Sequence, residues 1–87
     1  MKVEEIRDIE RKDVPIYYRR VYTGTAVLEI LEKRYERRIE FSIETKPTGA
    51  KEVVVNLLEE LDYPLVPLLK ELRESIGALD RSGVLVC

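Results

Sequence analysis

Aromatic and basic side chains alternate in two stretches of the chain, residues 17–22 and 33–38. Aromatic rings can stack on unpaired bases while basic groups hold phosphates, so this combination on a sheet face is typical of single-stranded nucleic-acid binding. Tyrosine and arginine are also enriched at protein interfaces, which gives the pattern a second interpretation. Both interpretations predict a recognition surface, here called the Tyr/Arg set: Tyr17, Tyr18, Arg19, Arg20, Tyr22, Arg34, Tyr35, Arg37 and Arg38.

The distribution of charge limits what such a surface would bind. Residues 14–51 contain eight basic and five acidic side chains, residues 52–87 contain three and seven, and the whole chain has a formal net charge of −2. That balance argues against the general electrostatic attraction to nucleic acid that basic domains have. Glu29, Glu36 and Glu40 can also neutralise the basic side chains by pairing across strands.

Catalytic and metal-binding chemistry has few candidates in the sequence. Histidine is absent, so a serine or cysteine nucleophile would need a lysine or carboxylate base, and Cys87 is the last residue. The spacing of Glu59, Glu60 and Asp62 matches no calcium loop and is typical of a solvated entry to a helix. We therefore predict a non-catalytic domain with no metal and no cofactor.

Composition sets the broad class. Apolar residues make up 45% of the 87 residues and charged residues 37%, which indicates one folded domain with a highly charged surface. A single cysteine cannot form an internal disulfide and favours a reducing, cytoplasmic setting, and no apolar run reaches the roughly 18–20 residues of a membrane span. The scarcity of thermolabile residues beside abundant Glu, Lys and Arg matches the compositional bias of thermophile proteins.

The strongest folding signal is a hairpin between residues 39 and 57. Pro47 sets φ for the second position of a type I turn, and Gly49 takes the left-handed conformation that closes a three-residue loop. That loop fixes a register in which every large apolar residue of the first strand meets an apolar partner on the same face. The facing pairs are Ile39 with Leu57, Phe41 with Val55, and Ile43 with Val53.

The N-terminal segment gives a weaker signal. Residues 1–13 are densely charged, and Val3, Ile6 and Ile9 recur at three-residue steps. This spacing predicts a weakly amphipathic helix or an arm.

The stretch before the hairpin is rich in β-branched and aromatic side chains, which favours strand. Residues 16–31 predict two strands separated by a turn at Gly24, with a bulge in one strand as the alternative. Residues 32–38 are densely charged and predict a hairpin connection around Arg34 and Tyr35.

A C-terminal helix is predicted over residues 63–80, because leucine and isoleucine recur at steps of three or four with charged residues between them. A short apolar tail, residues 84–87, follows. The leucine stripe needs an apolar surface, and the hairpin face is the only large one available. The sequence therefore predicts a single α+β domain, in which a four-stranded antiparallel β-meander within residues 15–57 packs one face against this amphipathic helix.

The uncovered face of such a sheet would carry partly exposed apolar side chains, namely Val21, Val27, Leu31 and Val54. We predict a protein-interaction or structural module that self-associates through its sheet, as a homodimer or with another protein, and has no membrane partner. Nucleic acid is the alternative ligand. In element order, strands followed by a final helix, the chain is similar to the PUR repeat, a nucleic-acid-binding unit, and that resemblance implies nucleic acid as the ligand of the Tyr/Arg set.

Overall fold

One antiparallel sheet and one helix make up the fold. The computed structural model describes residues 2–13, 18–83 and 85. Four strands lie side by side in chain order, and the helix packs its apolar stripe on one face of the sheet. The predicted α+β class, the four-stranded meander and the covering C-terminal helix are confirmed. The elements are β1 (Lys2–Lys12), β2 (Arg19–Ile30), β3 (Lys33–Thr45), β4 (Lys51–Leu57) and α1 (Leu65–Arg81).

The β3–β4 hairpin has the predicted register at every position, from Ile39 opposite Leu57 to Thr45 opposite Lys51. Its loop is closed by the backbone N–H of Gly49, which donates to the carbonyl oxygen of Lys46 at 2.8 Å. Gly49 has a φ of 89°, a conformation that costs glycine little. The turn residues alone therefore determine how these two strands pair.

β2 is one continuous strand, so the prediction of a turn at Gly24 is wrong. Gly24 lies opposite Ile39 in the middle of the β2–β3 ladder. A Cβ atom there would lie 3.3 Å from the carbonyl oxygen of Arg7 and 3.3 Å from Cγ2 of Ile6. Glycine is needed at this position because β1 approaches the β2 backbone closely.

The β2–β3 connection is a two-residue turn, Leu31-Glu32, and the prediction of a connection around Arg34 and Tyr35 is wrong. Both turn residues have positive φ, 51° and 64°, and Ile30 pairs with Lys33 across the turn. Such turns match the twist of the flanking strands and usually contain asparagine or glycine. Because neither residue type is present, the sequence hides the turn, and Arg34 and Tyr35 belong to β3.

The N-terminal segment is an edge strand, β1, and the predicted helix or arm is wrong. Val3 lies opposite Leu28 and Ile6 opposite Ala26, so both point toward α1. In a regular strand a three-residue step would change faces. Two register shifts, one between Val3 and Glu5 and one between Arg7 and Glu10, each add a residue and restore the same face, which gives the strand a helix-like spacing.

The core lies between α1 and the sheet face that it covers. Leu68, Leu72 and Ile76 of α1 are fully buried against a sheet layer that includes Phe41. α1 begins at Leu65, close to the predicted start. The first turn tolerates prolines because its backbone N–H groups have no partner inside the helix. Of the predicted tail, Leu85 is buried, and residues 84, 86 and 87 lie outside the described residues.

Candidate interaction surface

The Tyr/Arg set is divided between the two faces of the sheet. We call the face opposite α1 the outer face. Arg19, Arg34 and Arg38 lie on the outer face, and strand alternation directs Arg20, Tyr22, Tyr35 and Arg37 to the side of α1. Tyr18 precedes β2 and is about half exposed, and Tyr17 lies outside the described residues. The structure therefore does not bring the set together on one surface.

The outer-face arginines are engaged with neighbouring strands. Arg19 Nη2 lies 2.6 Å from Glu44 Oε1, and this hydrogen bond raises the pKa of Arg19. Arg34 Nη2 lies 3.5 Å from Glu4 Oε1, and the Arg38 guanidinium donates to Thr25 Oγ1 at 3.1 Å.

Two further ion pairs complete this surface. Arg7 of β1 pairs with Glu36 of β3, and Lys12 Nζ lies 2.9 Å from Glu40 Oε2. Both pairs join the strands on either side of β2. Glu36 and Glu40 thus bind cations of β1 that the sequence did not single out, and the outer face carries alternating charges instead of a positive patch.

The members on the α1 side hold the fold together. Tyr22 is buried, its ring stacks on Phe41 with centroids 5.2 Å apart, and its hydroxyl donates to the Leu85 carbonyl oxygen at 3.1 Å. The Arg37 guanidinium lies 5.5 Å from the Tyr35 ring centroid, and Arg37 Nε donates to the backbone oxygen of Glu60 at 2.8 Å. These side chains fasten the segments before and after α1 to the sheet.

A charged cluster around Asp80 was missed by the sequence reasoning. Lys51 Nζ lies 2.9 Å from Asp80 Oδ2, and Arg20 Nη2 lies 2.8 Å from Asp80 Oδ1. The hydrogen bond from Lys51, together with that from Arg20, lowers the pKa of Asp80, although burial acts in the opposite direction. A signal was present, because a carboxylate in the last turn of a helix opposes the helix dipole and needs a partner.

The two edges of the sheet differ sharply. β1 has two register shifts, a left-handed residue at Asp8 with φ of 53°, and charged side chains at eight of its 11 positions. β4 pairs with β3 without a shift, contains no proline, and is charged only at its first two residues, Lys51 and Glu52. β1 therefore has the features that discourage strand pairing, and β4 has few of them.

The hydrogen-bond pattern shows which backbone groups face the free edge of β4. The N–H of Lys46 donates to the Ala50 oxygen at 2.8 Å, and the N–H of Leu58 donates to the Arg38 oxygen at 2.9 Å. Because antiparallel bonds alternate, these two bonds fix the phase of the strand between them. Among the described residues no strand pairs with this edge. The backbone groups directed outward are those of Lys51, Val53, Val55 and Leu57.

Val54 is the exposed apolar side chain on the outer face next to this edge. It is 43% exposed and lies opposite Ser42 of β3. Val27, which was expected to be partly exposed, is only 1% exposed, because the Arg7–Glu36 ion pair crosses β2 beside it. Leu31 is 90% exposed, but it lies in the β2–β3 turn. The apolar part of the outer face is therefore concentrated at β4.

Other depressions of the surface offer less chemistry. One lies between Tyr18 and the β3–β4 loop, and its charged groups are already paired, Glu44 with Arg19 and Lys46 with Glu52. Within residues 2–13, 18–83 and 85, no three His, Cys, Asp or Glu side chains are grouped as metal ligands. No helix in the described part of the chain has the length and apolar character to cross a membrane.

Comparison with known proteins identifies a family. Residues 1–81 match the model of a protein family whose name consists of the letters BB and a serial number, called the BB family from here on. No curated protein matches the chain, and no solved structure does. The family name states no activity, so the site's geometry has to carry any proposal about function.

Proposed function

The chain belongs to the BB family, and we propose that it is a non-catalytic protein-interaction or structural module that self-associates through its sheet. The contrast between the blunted edge of β1 and the regular edge of β4 carries this proposal. The single cysteine, Cys87, suits a reducing compartment, and we place the module in the cytoplasm.

An unblunted edge strand favours pairing with another strand. Its outward N–H and C=O groups can form a ladder, and its side chains add apolar contacts on both faces. In β4 the central residues are three valines, of which Val54 is 43% exposed. The same edge on a second copy presents the same groups, so a symmetric dimer needs no other surface.

The state of the ionisable groups supports a non-catalytic role. General acid–base catalysis needs a group with free hydrogen-bonding capacity in a pocket. Asp80, the carboxylate whose side chain is 9% exposed, binds a cation at each oxygen. Glu59 Oε1 accepts a hydrogen bond from the backbone N–H of Arg38 at 2.6 Å.

Nucleic-acid binding has less support from the geometry than self-association has. Stacking platforms need aromatic rings and cations on one open face. Tyr22 is 2% exposed, and Tyr35 and Arg37 contact each other on the side of α1. Binding to single-stranded nucleic acid is therefore an outcome that the test must be able to detect.

The test is the solution mass by light scattering at two salt concentrations, with absorbance at 260 nm recorded across the peak. We expect a dimer that resists salt and carries no nucleic acid, since its interface would consist of backbone hydrogen bonds and valines. Val54→Glu should give a folded monomer, because it places a charge at the edge. Leu31→Glu is the matched control, since it removes an exposed apolar residue in the β2–β3 turn and should leave the dimer intact.

Two results would contradict the proposal. A wild-type protein that stays monomeric at high concentration would rule out self-association. A monomer that carries nucleic acid at low salt and releases it at high salt would favour the alternative ligand instead. If Val54→Glu leaves the dimer unchanged, the sheet edge is not the interface.

A further inference from the structure

We infer that two copies join through β4 in antiparallel orientation, with the two-fold axis passing between the two Val54 residues, to form one continuous eight-stranded sheet. This inference rests on the proposed function and adds the residue register of the interface. It follows from the hydrogen-bonding phase of β4, from the order of its side chains and from their charges.

The phase limits which residues can face each other. Residues with outward backbone groups must pair with residues of the same kind on the second copy. The register centred on Val54 places Val53 opposite Val55 and Lys51 opposite Leu57, so all four outward-facing residues form hydrogen-bonded pairs. A shift by two residues in either direction leaves one of the four without a partner. The centred register thus gives the longest ladder.

Side-chain charge selects the same register. With the axis at Val54, Glu52 lies opposite Asn56 of the second copy, and no like charges face each other directly. Moving the axis from Val54 to Val53 would place Glu52 opposite Val54, and moving it one residue further would bring the two Glu52 carboxylates together, which is destabilising. The sequence of β4 is therefore complementary to itself in one alignment.

The outer face of the dimer would gain a closed apolar contact. Val54 and Val54 of the second copy form a pair that is not hydrogen-bonded, in which Cα atoms lie about 4.5 Å apart. Each of these side chains is 43% exposed in the single chain, and each would cover the other. Both α1 helices lie on the opposite face, because the two-fold axis is perpendicular to the sheet.

Cysteine cross-linking tests the register. In a Cys87→Ser background, Val54→Cys places two thiols at a Cα separation that a disulfide accepts. We expect mild oxidation to convert most of this variant to a covalent dimer that reducing agent reverses. Glu52→Cys and Asn56→Cys should each fail to cross-link alone, since each would lie roughly 13 Å from its own copy, four residues along the strand. An equal mixture of these two variants should cross-link.

Each contrary result has a distinct meaning. If Glu52→Cys cross-links with Val54→Cys while Val54→Cys alone does not, the register is shifted and the inference is wrong, although the β4 edge is the interface. If none of the three variants cross-links while light scattering shows a dimer, self-association holds but uses another surface. A monomer in light scattering would overturn the proposed function and this inference together.

Discussion

At the scale of single residues, Asp80 joins three elements through one carboxylate. It lies in the last turn of α1, where the helix dipole disfavours a negative charge. Lys51 of β4 and Arg20 of β2 compensate for this, each with a hydrogen bond to a different oxygen. Arg20 also donates to Tyr22 Oη at 3.3 Å, so the cluster adjoins the hydroxyl that binds the Leu85 carbonyl. Asp80 therefore fixes the end of α1 to the sheet.

Replacing this carboxylate should measurably destabilise the fold. Asp80→Asn keeps the shape but removes the charge that both cations need, and we expect the free energy of unfolding to fall by about 1–3 kcal/mol. Urea denaturation of both proteins measures this. Glu52→Gln, which breaks the exposed Lys46–Glu52 pair, is the control and should have a much smaller effect. Equal losses in the two variants would show that Asp80 has no special role.

The same cluster predicts a pH dependence. Because the folded state lowers the pKa of Asp80, its stabilising contribution is complete above the unfolded-state pKa of about 3.9 and is lost as the pH falls through the folded-state pKa. The stability difference between wild type and Asp80→Asn should therefore be constant near neutral pH and shrink on acidification below about pH 4. A difference that grows on acidification would contradict this assignment.

At the scale of elements, local signals were sufficient for the hairpin and the helix. The β3–β4 register depends on turn residues next to the strands, and α1 depends on a repeat within one segment. β1 could not be predicted in this way, since its register shifts exist only in pairing with β2. The role of Gly24 is visible only once Ile6 is packed over it.

The division of the Tyr/Arg set follows from the period of a strand. Consecutive residues such as Arg19 and Arg20, or Arg37 and Arg38, must point to opposite faces. Alternation could therefore have divided the set from the sequence, given the strand assignment. The ion-pair partners could not have been found so, because Glu36 and Glu40 bind β1 residues that are distant in sequence.

The close approach of β1 to Gly24 gives a prediction at this scale. Gly24→Val would place its Cγ atoms against Ile6 and Ile9, and we expect a loss of about 1–3 kcal/mol in the free energy of unfolding. Amide hydrogen exchange in β1 should accelerate more than exchange in the β3–β4 hairpin. Thr23→Val, on the outer face of the same strand, is the matched control and should leave β1 protected. Unchanged exchange in β1 of Gly24→Val would mean that the strands are not packed as described.

At the scale of the whole molecule, the sheet has one covered face and one face protected by charge. A small domain buries a modest fraction of its surface, and here a single layer of apolar side chains lies between α1 and the sheet. The outer face has ion pairs where a second layer would lie, and its apolar part is confined to the β4 edge. Self-association at that edge would add burial where the single chain has least.

Such coupling makes thermal stability depend on protein concentration. For a dimer that dissociates as it unfolds, a 100-fold rise in concentration stabilises the dimer by about 2.7 kcal/mol, or about 1.4 kcal/mol per chain. For a domain of this size that corresponds to a rise in Tm of roughly 5–10 °C. Differential scanning calorimetry across that range should show this rise for wild type and for Leu31→Glu, and a constant Tm for Val54→Glu. A wild-type Tm that does not change with concentration would show that folding and self-association are not linked.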